Sequence, residues 1–516
     1  MSGRKRRAPG ARDLAYQVLR AVERDREFAT LALARALSRS DLDVRDRRLA
    51  TELVYGVLRH QQRLTRALAA MTPRGLGKTS PALLLILQVA AYELLYLDRV
   101  PAHAAVSSAV GAARRVGGAR VAGFVNGVLR RLARDGEPPL PDRDDTRAYL
   151  AAAYSLPDWI VDRLALEFAD KDALEAAAAG LTAQPPLTVR TNRLRPPDSA
   201  ADGASAEGVT LTPLGLVDGA AIASGLGDPE ASPSHRAGLI TVQDLGAQIV
   251  GHLVEAEPGW RILDACAGVG GKSAHLAELT GDRAVIHAVD ISAAKLRRCR
   301  DTAARLGLTS IRTMEADLLA ATDLSVEPSV EPAEPADAAE PADAAELADA
   351  AEPALPADEA ESASPADEVE PPAGLLPTYD AVLLDAPCTG LGVLRRHPEA
   401  KRRLVPDDVP RLARLQRALL DAVAARVKPG GLLVYSVCTF TREEGPEQIA
   451  AFLARQPQFV CEPPAAQRAQ APGAGVRWSQ LMAAPPLALP DGQYRTWPHL
   501  HDADGFFLAR LRRRSA

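Results

Sequence analysis

The sequence predicts a multidomain chain: an all-α N-terminal bundle, a small α+β linking domain, and an α/β domain of Rossmann-like type. Three observations lead there. At 516 residues the chain is well beyond one typical domain, so two or three separate cores are expected. From about residue 12 to residue 134, Leu, Ala and Val recur at three-and-four spacing with Arg or Glu between them, the period of an amphipathic helix. After residue 238, short apolar runs ending on acidic or polar residues alternate with helical stretches, which implies a largely parallel sheet with ligands at the carboxyl ends of its strands. The expected domains are 1–137, 145–237 and 238–513.

Within the bundle the spacing predicts helices over 13–24, 29–37, 44–69, 82–97, 102–115 and 119–133, with Pro73, Pro81 and Pro101 at starts or breaks. A stretch rich in Pro, Asp and Gly at 134–145 marks a boundary. The linking domain reads as a helix over 158–168, opening near Trp159, and a strand over 187–191, followed by long Gly-, Ser- and Pro-rich loops from 198 to 233. In the last domain the predicted strands are 261–264, 285–290, 379–385 and 431–435.

Composition narrows the class. An apolar fraction of 47% with 25% charged residues is that of a soluble globular protein, and aromatics at 4% leave few surfaces for base stacking. The five cysteines, at 266, 299, 388, 438 and 461, form no CxxC pair and lack the density of a secreted disulfide scaffold, which points to a reducing, cytoplasmic setting. Arg4 to Arg7 resemble the basic start of a signal peptide, but Arg12, Asp13 and Arg20 interrupt the apolar stretch that should follow. The most apolar run, 81–97, carries Gln88 and Glu93 and is short for a bilayer span, so a buried helix is expected and no membrane.

Charge is unevenly placed. The tract at about 324–372, built from near-repeats of Glu-Pro-Ala-Asp-Ala-Ala, is expected to be a disordered acidic insertion. Sixteen acidic and no basic residues between Asp323 and Glu370, set against a net charge of −5, leave the rest of the chain at +11. A basic folded part suits a nucleic-acid partner, although basic surfaces also serve solubility alone.

Four strand-end motifs carry candidate chemistry. After the 261–264 strand come Cys266, Ala267, Gly268, Val269, Gly270, Gly271 and Lys272, whose glycines allow a tight turn and close approach of backbone to a ligand before a helix N-terminus. The loop lacks Walker A spacing, and alone it could equally hold a dinucleotide or merely turn the chain. Asp290, ending the next strand about twenty residues on, can accept ribose hydroxyls or cap the following helix, a role open to Ser292 as well. Asp317 follows a further strand and could reach an adenine amino group. Together these describe a nucleoside-binding crevice.

The third motif runs Asp385-Ala386-Pro387-Cys388-Thr389-Gly390 and continues to Arg395-Arg396-His397-Pro398; Pro387 restricts Ala386 to an extended conformation. The fourth is Tyr435-Ser436-Val437-Cys438-Thr439-Phe440, followed by Glu443 and Glu444. Two cysteines at two strand ends could form a disulfide, bind metal or share a reaction. No His or further Cys stands at ligand spacing, so no metal is expected.

On these motifs the chain resembles the RsmB/Sun family of bacterial small-subunit ribosomal RNA cytosine-C5 methyltransferases. Residues 45–68, 95–103 and 123–130 look like the NusB-type RNA-binding helical domain that this subfamily carries at its N-terminus. The resemblance implies a class I methyltransferase domain, S-adenosylmethionine bound by Cys266 to Lys272, Asp290 and Asp317, and Asp385 bordering both cofactor and cytosine. It further implies Cys438 as nucleophile and Cys388 as the residue assisting product release. Relatives usually carry Ala-Pro where Gly268-Val269 stand and Thr-Cys-Ser where Val437-Cys438-Thr439 stand.

Such chemistry needs these groups. C5 of cytosine is a poor nucleophile; a thiolate adding to C6 turns it into an enamine, and a carboxyl hydrogen-bonded at N3, the role that suits Asp385 as the protonated acid, can stabilise the negative charge that develops there. The base must be unstacked, so single-stranded or loop RNA in 16S ribosomal RNA is the expected partner, with Arg395 and Arg396 as candidate phosphate contacts. A monomer is the expected state. Two other readings compete: an antitermination-type RNA-binding factor with a degenerate methyltransferase fold, and a transfer RNA or DNA cytosine methyltransferase. The first has no need of the cysteine pair and Asp385; a DNA enzyme would attack with the cysteine of the Pro-Cys segment.

Overall fold

A computed structural model of the chain describes residues 10–196, 198–215, 217–320, 374–463, 488–489 and 492–515. The tract expected as an acidic insertion lies outside the described residues. The chain divides into two compact units, one of residues 1–185 with 393–406, the other of residues 186–392 with 407–516. Of the span expected as a linking domain, residues 145–185 therefore group with the first unit and residues 186–237 with the second.

The first unit is helical. It contains α1 (Ala11–Arg24), α2 (Ala29–Ser38), α3 (Val44–Ala70), α4 (Pro81–Tyr96), α5 (Ala102–Asp135), α6 (Thr146–Tyr154), α7 (Asp158–Ala165) and α8 (Lys171–Thr182). α1 buries Leu14, Val18 and Val22 on one face, as three-and-four spacing demands. α4 is apolar all round because it is the most enclosed, with Leu85, Ile86, Leu87, Ala90 and Ala91 all buried in the common core. Ser80 caps its start and Pro81 opens it, where a missing N–H costs nothing. The two predicted helices at 102–115 and 119–133 are joined in α5 but separated by a kink at Gly117 and Gly118, the latter at φ +73, a conformation that suits glycine.

Residues 393–406 belong to this unit and include a short helix that is α14 in chain order (Ala400–Arg403). Lys401 is buried and donates from Nζ to Arg59 O at 2.7 Å, while Glu399 Oε1 accepts from Ala29 N at 3.1 Å. Arg395, expected to meet phosphate, is 2% exposed; a guanidinium so enclosed is not presented to an RNA backbone, and only half-buried Arg396 keeps that reading.

The second unit holds two sheets. The smaller is antiparallel, in the order β2-β3-β1-β4, from β1 (Thr188–Thr191), β2 (Thr210–Pro213), β3 (Ala220–Ser224) and β4 (Ile240–Val242), with α9 (Ser199–Ala206) and α10 (Pro233–Arg236) alongside. The span 198–233, expected as loops, thus contains a helix and a hairpin. β2 is mostly exposed and shows no apolar alternation, so its pairing partner, not its own pattern, makes it a strand. This sheet is tied to α12 (Gly271–Leu279) by a fully enclosed ion pair between Arg190 Nη2 and Glu278 Oε1 at 2.9 Å.

The larger sheet follows α11 (Leu245–Leu253) and contains β5 (Arg261–Asp264), β6 (Val285–Asp290), β7 (Ile311–Glu315), β8 (Tyr379–Asp385) and β9 (Val427–Val437). Three of the four predicted strands fall on their predicted residues; β9 extends beyond 431–435 at both ends. These five strands are parallel in the order β7-β6-β5-β8-β9. Beyond β9 the sheet turns antiparallel through β13 (Phe507–Arg513), which also pairs β10 (Phe459–Cys461) and β12 (Gln493–Arg495); β11 (Ala488–Leu489) closes that edge. α13 (Ala293–Leu306), α15 (Asp408–Ala424), α16 (Pro446–Arg455) and the short α17 (Pro498–His501) complete the unit. Since β5 lies between β6 and β8, the strand order reverses beside it, and the crevice at its carboxyl end is where such folds bind ligands.

Candidate active site

Each motif read from the sequence lies at the carboxyl end of a parallel strand, and register places those ends along one edge. Asp264 pairs with Leu383, and Asp385 with Ser436, so the loops that follow β5, β8 and β9 leave the sheet side by side.

The β5 loop is shaped by two glycines with left-handed backbone, Gly268 at φ +54 and Gly270 at φ +85. Gly270 starts α12, and its ideal Cβ position would be 2.9 Å from Cys299 Cβ, so only glycine fits there. Gly268 N–H donates to Asp290 Oδ2 at 2.9 Å and Ser292 N–H to Asp290 Oδ1 at 2.8 Å, which holds the carboxylate over the loop. Capping of α13 falls to Ser292, whose Oγ accepts from Lys295 N. Ile291 beside it is 70% exposed, an apolar side chain left in solvent at the mouth of the crevice. Asp317 is also exposed and accepts from Leu319 N at 2.8 Å. A backbone turn, an acidic residue at the next strand end and an open apolar side chain suit a nucleoside with its ribose and base.

Lys272 turns away from this loop. Its Nζ is 2.5 Å from Asp385 Oδ2 and 5.6 Å from the centre of the Phe506 ring. Asp385 Oδ1 accepts from Ser436 Oγ, so both carboxylate oxygens are engaged. The two cysteines lie just beyond: Cys388 Sγ and Cys438 Sγ are 3.3 Å apart, unbonded, with Cys388 buried and Cys438 half-buried. Burial pushes the Cys388 thiol well above the ordinary range, and its contact with Cys438 adds to the shift. Cys438 is thus the more open of the two sulfurs, and the thiol beside it is held protonated. Among the described residues no group of three His, Cys, Asp or Glu side chains could hold a metal.

Sequence reasoning missed three participants. Nothing in the sequence links Lys272 to Asp385, gives Ser436 a partner, or sets Glu444 apart from its neighbour Glu443. Glu444 is fully buried and ties the two cysteine loops together. A charged residue six positions past Cys438 was the only signal available for it.

Comparison with known proteins decides the family. Residues 9–134 match the NusB family model, and residues 252–331 and 360–512 match that of the 16S rRNA methyltransferase RsmB/F. The chain is 34% identical to a probable ribosomal RNA small subunit methyltransferase B of Synechocystis over 98% of its own length and 99% of the relative's. This chain belongs to the RsmB/F family. To another family protein, the probable ribosomal RNA small subunit methyltransferase B of Bacillus subtilis, it is 30% identical over 98% of both chains. A crystal structure of PH0851 superposes with a TM-score of 0.72 at 22% identity, covering 98% of this chain and 99% of that one, and confirms the fold. The RsmB/F architecture expected from the residues, a NusB-like helical N-terminal domain followed by a Rossmann-like methyltransferase, is the one present. No described helix is long and apolar enough to cross a membrane.

Proposed function

We propose that this chain transfers a methyl group from S-adenosylmethionine to C5 of a cytosine in 16S ribosomal RNA, with Cys438 as the nucleophile. The observation that carries the reading is the grouping of Cys438, Cys388 and the Lys272–Asp385 pair at the switch point of the sheet. When bound, S-adenosylmethionine supplies an electrophilic methyl on a sulfonium. Gly268, Gly270 and Gly271 would give it a close backbone approach, Asp290 the ribose hydroxyls, Asp317 the adenine amino group, and Ile291 an apolar face.

The chain's own residues account for the remaining steps. Cys438, as the thiolate, forms a bond to C6, and the displaced electron pair makes C5 nucleophilic. Asp385 faces the ring at N3, and the Lys272 ammonium beside it offsets the charge that grows there. C5 would form its bond to the methyl carbon as the methyl–sulfonium bond breaks, and would then carry both methyl and proton. Cys388, once its own proton has passed to solvent, takes the C5 proton as the C6–S bond breaks, returning Cys438 as thiolate. Burial suits Cys388 to this: the thiol stays protonated and quiet until needed, and its thiolate, once formed, is the stronger base.

The test is transfer of labelled methyl to unmodified 16S ribosomal RNA by wild type, Cys438→Ala and Cys388→Ala. The reading expects no transfer with Cys438→Ala and a trapped covalent RNA adduct with Cys388→Ala. Transfer that survives Cys438→Ala, or an adduct that forms through Cys388 instead, would sink the assignment.

A further inference from the structure

We propose that Glu444 is a positioning residue that sets the separation of Cys388 and Cys438 by holding the residues on either side of them in one hydrogen-bonded cluster; this rests on the two-cysteine reading above. The carboxylate is 0% exposed, and a charge so enclosed costs several kcal/mol unless its lone pairs are filled. Here they are filled by donors from both cysteine loops. Oε1 accepts from Thr389 N at 2.8 Å, and Oε2 from Thr389 Oγ1 at 2.6 Å, both beside Cys388. Oε2 also accepts from Thr441 Oγ1 at 2.7 Å, on the loop of Cys438, where Thr439 Oγ1 lies 3.3 Å from it and shares its one proton between Oε2 and Thr389 Oγ1.

The cluster reaches further on each side. Gln416 of α15 donates from Nε2 to Glu444 Oε1 at 3.0 Å and to Pro387 O at 2.8 Å, so the residues before and after Cys388 are both held. Thr389 Oγ1 and Thr439 Oγ1 stand 2.9 Å apart, a direct link between the neighbours of the two cysteines. Thr389, Thr439, Thr441 and Gln416 are all buried, so no water competes for these bonds. A separate backbone tie, Gly392 N–H to Cys438 O at 2.9 Å, joins the same two loops at the far side of the sulfurs.

A merely structural carboxylate would be equally content to cap one loop. This one divides its acceptors between two loops that each carry one of the paired cysteines. Glu444→Gln keeps the size but turns two acceptor sites into donors facing the hydroxyls of Thr389, Thr439 and Thr441. Thr389→Val removes one donor and leaves the carboxylate in place.

Two readouts separate this proposal from the function it rests on. The first is the rate at which diamide couples Cys388 to Cys438 in the full chain without RNA, which requires only that the sulfurs be adjacent. Glu444→Gln is expected to slow coupling by about 10-fold or more, and Thr389→Val by less, with Cys266 alkylation unchanged. The second is methyl transfer, where Glu444→Gln should lower kcat by roughly 100-fold, the cost of about 1 Å of misplacement, with KM for S-adenosylmethionine unaltered. Coupling at the wild-type rate in a folded Glu444→Gln chain overturns the proposal; if that variant does not fold, the same result with Thr389→Val and Thr441→Val combined overturns it. A wild type that couples its cysteines normally but methylates no ribosomal RNA would instead count against the function, leaving the positioning role to the first readout.

Discussion

Lys272 and Asp385 stand 113 residues apart in the chain and meet as an ion pair, Nζ to Oδ2 at 2.5 Å, each side chain less than 15% exposed. The pair joins the first turn of α12 to the end of β8, so the glycine loop after β5 and the carboxylate that ends β8 share one contact. Lys272→Met removes the partner and leaves a carboxylate with little water to replace it, at a cost of about 1–3 kcal/mol. We expect kcat/KM to fall by roughly 10- to 100-fold, while Arg at this position, too long and planar for the same contact, restores little of it. Steady-state methylation of 16S ribosomal RNA by the two variants measures this, and wild-type kinetics in Lys272→Met would remove Lys272 from the mechanism.

The sulfurs of Cys388 and Cys438 need to close only from 3.3 Å to bonding distance. Mild oxidation is therefore expected to inactivate the enzyme reversibly. Treatment with diamide should lower the free thiol count by two and abolish transfer, and dithiothreitol should restore both. Cys388→Ala should retain its thiol at 438 under the same treatment; loss of that thiol would point to pairing with another cysteine.

At the cofactor loop, Gly270→Ala imposes two penalties at once: a side chain at φ +85 and a collision with Cys299. Overpacking of that kind costs about 1–3 kcal/mol. The expected outcome is a lower melting temperature and a KM for S-adenosylmethionine raised about 10-fold, read by calorimetry and kinetics. Trimming the neighbour with Cys299→Ala should recover only part of the stability and none of the KM, because the Cβ at 299 would still lie 2.9 Å away and the backbone conformation remains strained.

His252 predicts an acid sensitivity of the catalytic unit. Burial lowers its pKa to about 3, and the Arg193 and Arg190 charges act in the same direction. His275, which meets it edge-on, is lowered well below the ordinary value for the same first reason. A folded pKa below the unfolded one means that the unfolded chain binds more protons, so stability is full above about pH 6.5 and drains as pH falls toward the folded value. At pH 5 the loss is about 2 kcal/mol for His252. Urea unfolding at about pH 7.5 and pH 5 should show the drop, and His252→Leu should show a smaller one; equal drops would exclude His252 as its source.

The four motifs were legible because each combines a local pattern with chemistry beside it. Arg261–Asp264, Val285–Asp290 and Tyr379–Asp385 are short apolar runs that end in Asp, and such runs become strands with their acidic ends at the ligand edge wherever the parallel sheet forms. The glycines of the β5 loop announced a turn for the same reason. β2 was not legible, since an exposed strand carries no alternation, and the unit to which residues 393–406 belong was invisible because nothing local distinguishes a buried Lys401 from a solvated one.

The sequence by itself thus determined the helical and α/β halves, the strand-end positions of Asp290, Asp385, Cys388 and Cys438, and the glycine turn. Only the tertiary structure decided that Cys388 lies 3.3 Å from Cys438, that Lys272 serves Asp385, that Arg395 is enclosed, and that Glu444 binds two loops into one site. The physical reason is range. Propensity and periodicity act over a few residues, whereas these contacts join side chains 50 to 113 positions apart, and their distances follow from which strands pair and in what register.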